Sequence, residues 1–167
     1  MPRVYLSLGS NIDPRRHLAA ALDALAAHFG ALALSPVYEN PAVGFIGDNF
    51  LNLVVGIDTE LAVGELAQVL RRIEDTNARC RTTAKFSSRT LDIDILTYGE
   101  CVGVIDGVTL PRDEILKYAF VLRPLAELAP DALHPEARKS YRELASALRF
   151  PDQQLWPVAF RWPAATP

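Results

Sequence analysis

The sequence predicts an α+β fold in which an antiparallel sheet carries its helices on one face. Three observations lead there. Short apolar or alternating runs read as strands, two longer stretches keep a helical apolar spacing, and the two types fall in the order β-α-β-β-α-β. That order is the ferredoxin-like split βαβ arrangement.

Val4 to Leu8 is an apolar run that ends at Gly9-Ser10-Asn11, a strand entering a turn. Asp13-Pro14 places an N-cap residue before a proline at the first helical position, and Leu18, Leu22, Leu25 and Phe29 recur on one face until Gly30. Leu32 to Tyr38 reads as a second strand, interrupted by Pro36 and so expected at a sheet edge, and Phe50 to Ile57 as a third. Residues 40–49 between them are too apolar for a plain connector and are expected to close over a ligand. Thr59 is the expected cap of a second helix in which Ala62, Leu66, Val69, Leu70 and Ile73 share a face, ending near Asn77. Residues 78–89 are basic and aperiodic, a loop that feeds the alternating strand Leu91-Asp92-Ile93-Asp94-Ile95. A hairpin around Gly99 to Val104, a turn at Leu110-Pro111, a short helix near Glu114, an apolar segment from Phe120 and a helix from about Ser140 to Leu148 then form a C-terminal extension of the sandwich. The tail, residues 149–167, carries Trp156 and Trp162 and no functional signal.

One domain over residues 1–167 is expected, since the chain is long enough for one good core and short for two. Half the residues are apolar and 22% are charged, a globular balance. A net charge of -3 argues against nucleic-acid binding by phosphate neutralisation. No membrane span or signal peptide is read, and two cysteines, Cys80 and Cys101, without metal spacing suit a reduced cytoplasmic protein. His17, His28 and His134 are scattered and are expected at the surface.

Asp92 and Asp94 project from the same side of their strand, roughly 6–7 Å apart along the backbone. Two such carboxylates repel unless a cation sits between them. Read alone, the pair fits either a solvated strand face with Arg89 as an ion-pair partner or a divalent-metal site that shares its ion with phosphate oxygens. Arg79, Arg81, Lys85 and Arg89 just upstream favour the second, because metal ions and cationic side chains together offset phosphoryl charge. The sequence holds no phosphate-binding Gly-rich loop and no dinucleotide fingerprint, so a nucleotide would be held by side chains.

Leu6-Ser7-Leu8-Gly9-Ser10-Asn11, Asn40-Pro41, Phe50-Leu51-Asn52, Arg72-Ile73-Glu74, Arg89-Thr90-Leu91-Asp92-Ile93-Asp94, Thr109-Leu110-Pro111 and Phe120-Val121-Leu122-Arg123-Pro124-Leu125 occur in an order that resembles the 6-hydroxymethyl-7,8-dihydropterin pyrophosphokinases of folate synthesis, over roughly residues 3–148. The resemblance implies a ferredoxin-like fold, two Mg²⁺ ions, and transfer of the pyrophosphoryl group of ATP to the pterin hydroxymethyl oxygen with release of AMP. It implies that Asp92 and Asp94 hold the metal ions, and that Arg81, Lys85 and Arg89 act with them in catalysis. Asn40, Pro41, Val43 and Asn52 would surround the pterin, sandwiched by Phe50 and Phe120. Glu74, Arg79, Arg81, Arg89, Thr109 and Arg112 would face the nucleotide. The expected partners are ATP and a dihydropterin, with no nucleic acid or membrane, acting on a monomer.

The chain departs from the family at several positions. Lys85-Phe86 stands where the family has Arg-Trp, Arg112 where it has His, Tyr118 where it has Arg, and Gly107 where it has a basic residue. Phe50 replaces a tyrosine and keeps its π face. Most of these changes fall on the nucleotide side. A divergent paralogue that binds pterins with weak or altered transferase activity is therefore the alternative reading, and a ferredoxin-like nucleic-acid binder is a third, weakened by the lack of a basic face.

Overall fold

In the computed structural model, which describes residues 1–77 and 90–163, the first strand β1 (Arg3–Ser10) runs through the middle of an antiparallel sheet. It is followed by α1 (Pro14–Phe29), β2 (Ala33–Leu34), β3 (Val37–Asn40), β4 (Phe50–Asp58), α2 (Val63–Thr76) and β5 (Asp92–Tyr98). The strand order is β5-β1-β4-β3, with β2 also on β4, which is the ferredoxin-like topology. Period-two alternation decides the two faces. Val4, Leu6 and Leu8 of β1, Leu51, Leu53, Val55 and Ile57 of β4, and Ile93 and Ile95 of β5 turn to one side and meet Leu18, Leu22 and Leu25 of α1 and Leu66, Leu70 and Ile73 of α2. Each fully buried side chain of this size contributes about 1.5–3 kcal/mol.

The extension begins with a hairpin of β6 (Gly103–Ile105) and β7 (Val108–Leu110), then a 3₁₀ turn (Asp113–Leu116), α3 (Ala119–Leu128), α4 (Tyr141–Ala147) and β8 (Trp156–Val158). Ile115, Val121, Leu122, Leu125, Tyr141 and Leu144 bury Val54 of β4 and Leu96 of β5. The extension helices thus roof one end of the second sheet face. A bulge lets them do so: the β1–β5 register shifts by one residue between Tyr5 and Leu6, and Leu96 and Thr97 both reach this side, Thr97 toward Tyr141.

Several local expectations are corrected. Asp13 stands at the N-cap of α1 with Pro14 at its first position, as expected, but its side chain caps no amide; Asp13 takes a left-handed conformation at φ 46° and pairs with Arg16. Thr59 caps nothing at α2, since its hydroxyl accepts from the Leu61 amide, and the helix starts later, with Glu65 reaching back to the Ala62 amide and Asp106 to the Gly64 amide. The strand expected over 32–38 splits into β2 and β3 because Pro36 has no amide to donate, while the Ser35 hydroxyl accepts from Val54. It is not an edge at β3, which β8 covers in the register Val37 with Val158. The hairpin turns at Asp106-Gly107 rather than near Gly99, with φ 50° and 80°, the type I′ geometry that Asp-Gly favours. The apolar segment from Phe120 is helical despite Pro124.

Of the histidines, only His28 is exposed. His17 is buried and its Nδ1 meets Asn77 Oδ1 at 2.8 Å, linking α1 to the end of α2, and the buried His134 accepts from the amides of Glu136 and Ala137. The tail is not a loose end either. Beyond β8, Trp162 donates to Asp23 and Arg15 to the Ala159 carbonyl, fastening it to α1. No helix among the described residues is long and apolar enough to cross a membrane.

Candidate functional site

The part of the second sheet face left open by α3 and α4 holds most of the described residues singled out from sequence. Asn52 of β4 pairs in register with Gly9 of β1 and Tyr38 of β3, Phe50 with Asn40, and Asp92 and Asp94 of β5 with Gly9 and Ser7. Alternation turns these side chains away from the α1 and α2 core.

At one end Asn52 and Asn40 are buried together, and Asn52 Nδ2 donates to Asn40 Oδ1 at 2.5 Å. Asn40 Nδ2 donates in turn to the Pro41 carbonyl at 2.9 Å. Gly9 makes the arrangement sterically possible, because a Cβ there would stand 2.5 Å from Asn52 Oδ1. Asn11, also buried, donates to the Asp48 carbonyl and ties the first turn to the long loop. Asn40, Pro41, Ala42, Val43, Ala119 and Phe120 line a cavity of about 580 Å³ that Pro151 to Gln154 complete. Phe120 stacks on Tyr118, with ring centroids 5.0 Å apart and 17° between planes, while Phe50 meets Phe45 edge-on at 6.2 Å. Gly9 and Asn11 stood in a recognised motif, but their part in the site and that of the tail residues were not readable from it, since close approach is a property of the assembled sheet.

At the other end the Asp92 and Asp94 carboxyl groups lie close enough on the same face for each to act on the other. Burial, then the neighbouring Asp92 charge, holds the Asp94 carboxyl well above the usual carboxylate range, and Arg112 offsets only part of this. Arg112 Nη2 lies 3.6 Å from Asp94 and 3.1 Å from Glu114, and its Nε is buried without a partner among the described residues. The Arg112 amide donates to the Leu96 carbonyl at 2.8 Å, which fixes the guanidinium beside β5. No cluster of three or more metal-ligating side chains occurs among the described residues. Two carboxylates suffice for a magnesium ion that completes its octahedron with water and phosphate, and an acid pair crowded this closely is a donor set that such a cation suits.

Glu74 is buried on α2, and its Oε2 accepts from the Ile93 amide at 2.9 Å, between the two aspartates on the sheet's β5 edge. Thr109 is exposed on β7 opposite Val104. Arg79, Arg81, Lys85, Phe86 and Arg89 lie outside the described residues.

Residues 5–130 match the family model for 7,8-dihydro-6-hydroxymethylpterin-pyrophosphokinase. The chain is 39% identical over 140 residues to the 2-amino-4-hydroxy-6-hydroxymethyldihydropteridine pyrophosphokinase of Pseudomonas aeruginosa, covering 81% of this chain and 86% of that one. To the protein of the same name from Methylorubrum extorquens it is 42% identical over 135 residues, covering 78% and 85%. The fold is similar to that of the Plasmodium falciparum HPPK-DHPS crystal structure with SDX-DHP, at a TM-score of 0.67 and 15% identity, covering 87% of this chain but 43% of that longer one. The sheet topology and these sequence matches agree, and the chain belongs to the 6-hydroxymethyl-7,8-dihydropterin pyrophosphokinase family.

Proposed function

We propose that this chain transfers the pyrophosphoryl group of ATP to the hydroxymethyl oxygen of 6-hydroxymethyl-7,8-dihydropterin, releasing AMP. The observation that carries the reading is the meeting, on one sheet face of a family member, of the paired amides Asn40 and Asn52, beside a cavity that Asn40 and Phe120 line, with a crowded acid pair at Asp92 and Asp94.

In this reading Asn52, held by Asn40, presents its carbonyl oxygen to the donor edge of the pterin, and Phe50 and Phe120 stack on the ring. Pro41 and Val43 shape the loop side of the pocket. Asp92 and Asp94 hold two Mg²⁺ ions; when bound, magnesium offsets phosphate charge and acidifies a hydroxyl that it touches. Arg112 faces the phosphates from the β7 side, giving up part of its hold on Asp94. Arg79, Arg81, Lys85 and Arg89 supply the remaining positive charge, and Thr109 borders the nucleotide. Glu74 contributes by holding the Ile93 amide, which keeps the strand between the aspartates straight. Positioning and electrostatics then provide most of the acceleration. The setting we infer is a cytoplasmic monomer whose partners are ATP and a dihydropterin rather than nucleic acid or a membrane.

AMP release from ATP, Mg²⁺ and 6-hydroxymethyl-7,8-dihydropterin tests this against an Asp92→Ala Asp94→Ala double variant. Wild type should exceed the variant by about 10³-fold or more, given what loss of charge stabilisation costs. Equal rates with intact pterin binding would leave the chain a pterin-binding module.

A further inference from the structure

The C-terminal tail lies beyond the family match, which ends at residue 130, yet it stands in the pocket. Pro151, Asp152, Gln153 and Gln154 line the same cavity as Asn40, Pro41, Val43 and Phe120. Gln153 does more than border it. Its Oε1 accepts from the Ala119 amide at 2.7 Å, and its Nε2 donates to the Lys117 carbonyl at 2.9 Å. Ala119 is the first residue of α3, whose opening amides have no partner within the helix, and Tyr118 before it offers no side-chain cap. Gln153 therefore caps α3 from 34 positions away in sequence and sets where the helix begins, one residue before Phe120.

The segment is itself held firmly on its far side. Trp156 pairs with Glu39 in the sheet, Val158 with Val37, and Trp156 Nε1 donates to Glu39 Oε2 at 3.0 Å. Glu39 immediately precedes Asn40, so the tail is anchored to both walls of the cavity: the end of β3 that bears Asn40, and the start of α3 that bears Phe120. Gln154 and Asp152 are exposed between these anchors and add an amide and a carboxylate to a cavity that otherwise offers few side-chain polar groups.

We propose that residues 151–154 form a wall of the pterin pocket and that Gln153 is a positioning residue for Phe120, so that the tail helps decide how tightly this chain holds its planar heterocycle. This rests on the pyrophosphokinase reading of the site. It implies that pterin affinity depends on a segment that the matched family region does not include.

Two variants test it by calorimetric titration with 6-hydroxymethyl-7,8-dihydropterin and, separately, with a non-hydrolysable ATP analogue and Mg²⁺. Gln153→Met keeps side-chain length but loses both hydrogen bonds. Gln154→Trp fills the cavity from an exposed position and leaves the fold intact. Each should raise the pterin Kd by about tenfold, the scale of one lost buried contact, with the Kd for the ATP analogue unchanged. An unchanged pterin Kd in both variants, or a parallel loss of pterin and nucleotide affinity, would overturn the proposal. If wild type releases no AMP but both variants lose pterin affinity selectively, the wall stands and the transferase reading falls. If wild type releases AMP and both variants bind pterin normally, the reverse holds.

Discussion

At the Asn52 end of the open sheet face the polar groups are neutral and already paired, whereas at the Asp92 end charges crowd together and are only partly offset. Asn52, Asn40 and the Pro41 carbonyl form a chain of hydrogen bonds before any ligand arrives. Asp92 and Asp94 press against each other near Glu114, with Arg112 shared between Asp94 and Glu114. The difference follows from what each end must bind. A pterin brings no net charge, so a preset neutral surface costs little to keep and loses little entropy on binding. A nucleotide with its metal ions brings charge of both signs, and a site built for it is strained without it.

The contrast predicts opposite responses to small changes. The largest effect is expected from Asp94→Asn, which relieves the repulsion but removes a metal-binding oxygen charge. AMP release should fall by about 10²–10³-fold, while the metal-free protein becomes more stable by about 0.5–2 kcal/mol. Thermal melts and AMP assays on one preparation check both halves; a destabilised Asp94→Asn protein would mean that the acid end is not strained.

Gly9→Ala should do the reverse at the neutral end. The added Cβ displaces Asn52, so both stability and pterin affinity should drop, each by about 1–3 kcal/mol, with nucleotide-analogue binding retained. Titration with each ligand separates the two ends. Unaltered pterin binding would show that Asn52 tolerates displacement, and the neutral end would no longer count as preset.

The smallest effect lies outside both ends. Burial pushes the His134 imidazole down, with Glu136 pulling weakly the other way, and its ring nitrogen accepts from two amides, which only the neutral form can do. Between the unfolded value near 6.5 and the lowered folded value, the unfolded state binds more protons, so stability rises with pH through that window. Wild type should thus melt lower at pH 5.5 than at pH 7.5, and His134→Asn, which keeps an acceptor, should flatten the difference. If the variant keeps the full pH dependence, the loss arises elsewhere than at His134, and not at Asp94, whose raised carboxyl makes stability fall as pH rises.

Much of the framework was legible because it follows from local pattern. The spacing of Leu18, Leu22 and Leu25 and the alternation of Leu91, Ile93 and Ile95 with Asp92 and Asp94 are set by helix and strand periods that hold in any surroundings. Caps and turns were less so. Asp13 and Thr59 look like side-chain caps, but each side chain bonds to a near neighbour along the chain instead, Asp13 to Arg16 and Thr59 to the Leu61 amide, and the Asp106-Gly107 turn was hidden behind the nearer Gly99 and Gly103. His17 and His134 were expected outside because isolated histidines usually are, yet His17 found a buried partner in Asn77 at the end of α2, and His134 is buried over the amides of its own turn, Glu136 and Ala137.

The sequence by itself determined the order of strands and helices, which side of β5 the two aspartates share, and the family to which the motifs point. Those are properties of neighbours along the chain. Only the tertiary structure decided that Gly9 lies under Asn52, that Glu74 holds the strand between Asp92 and Asp94, that Arg112 reaches Asp94, and that Gln153 caps α3 beside the pocket. Each joins residues distant in sequence across a sheet or at a helix end, where an approach of a few ångströms depends on how every intervening element packs.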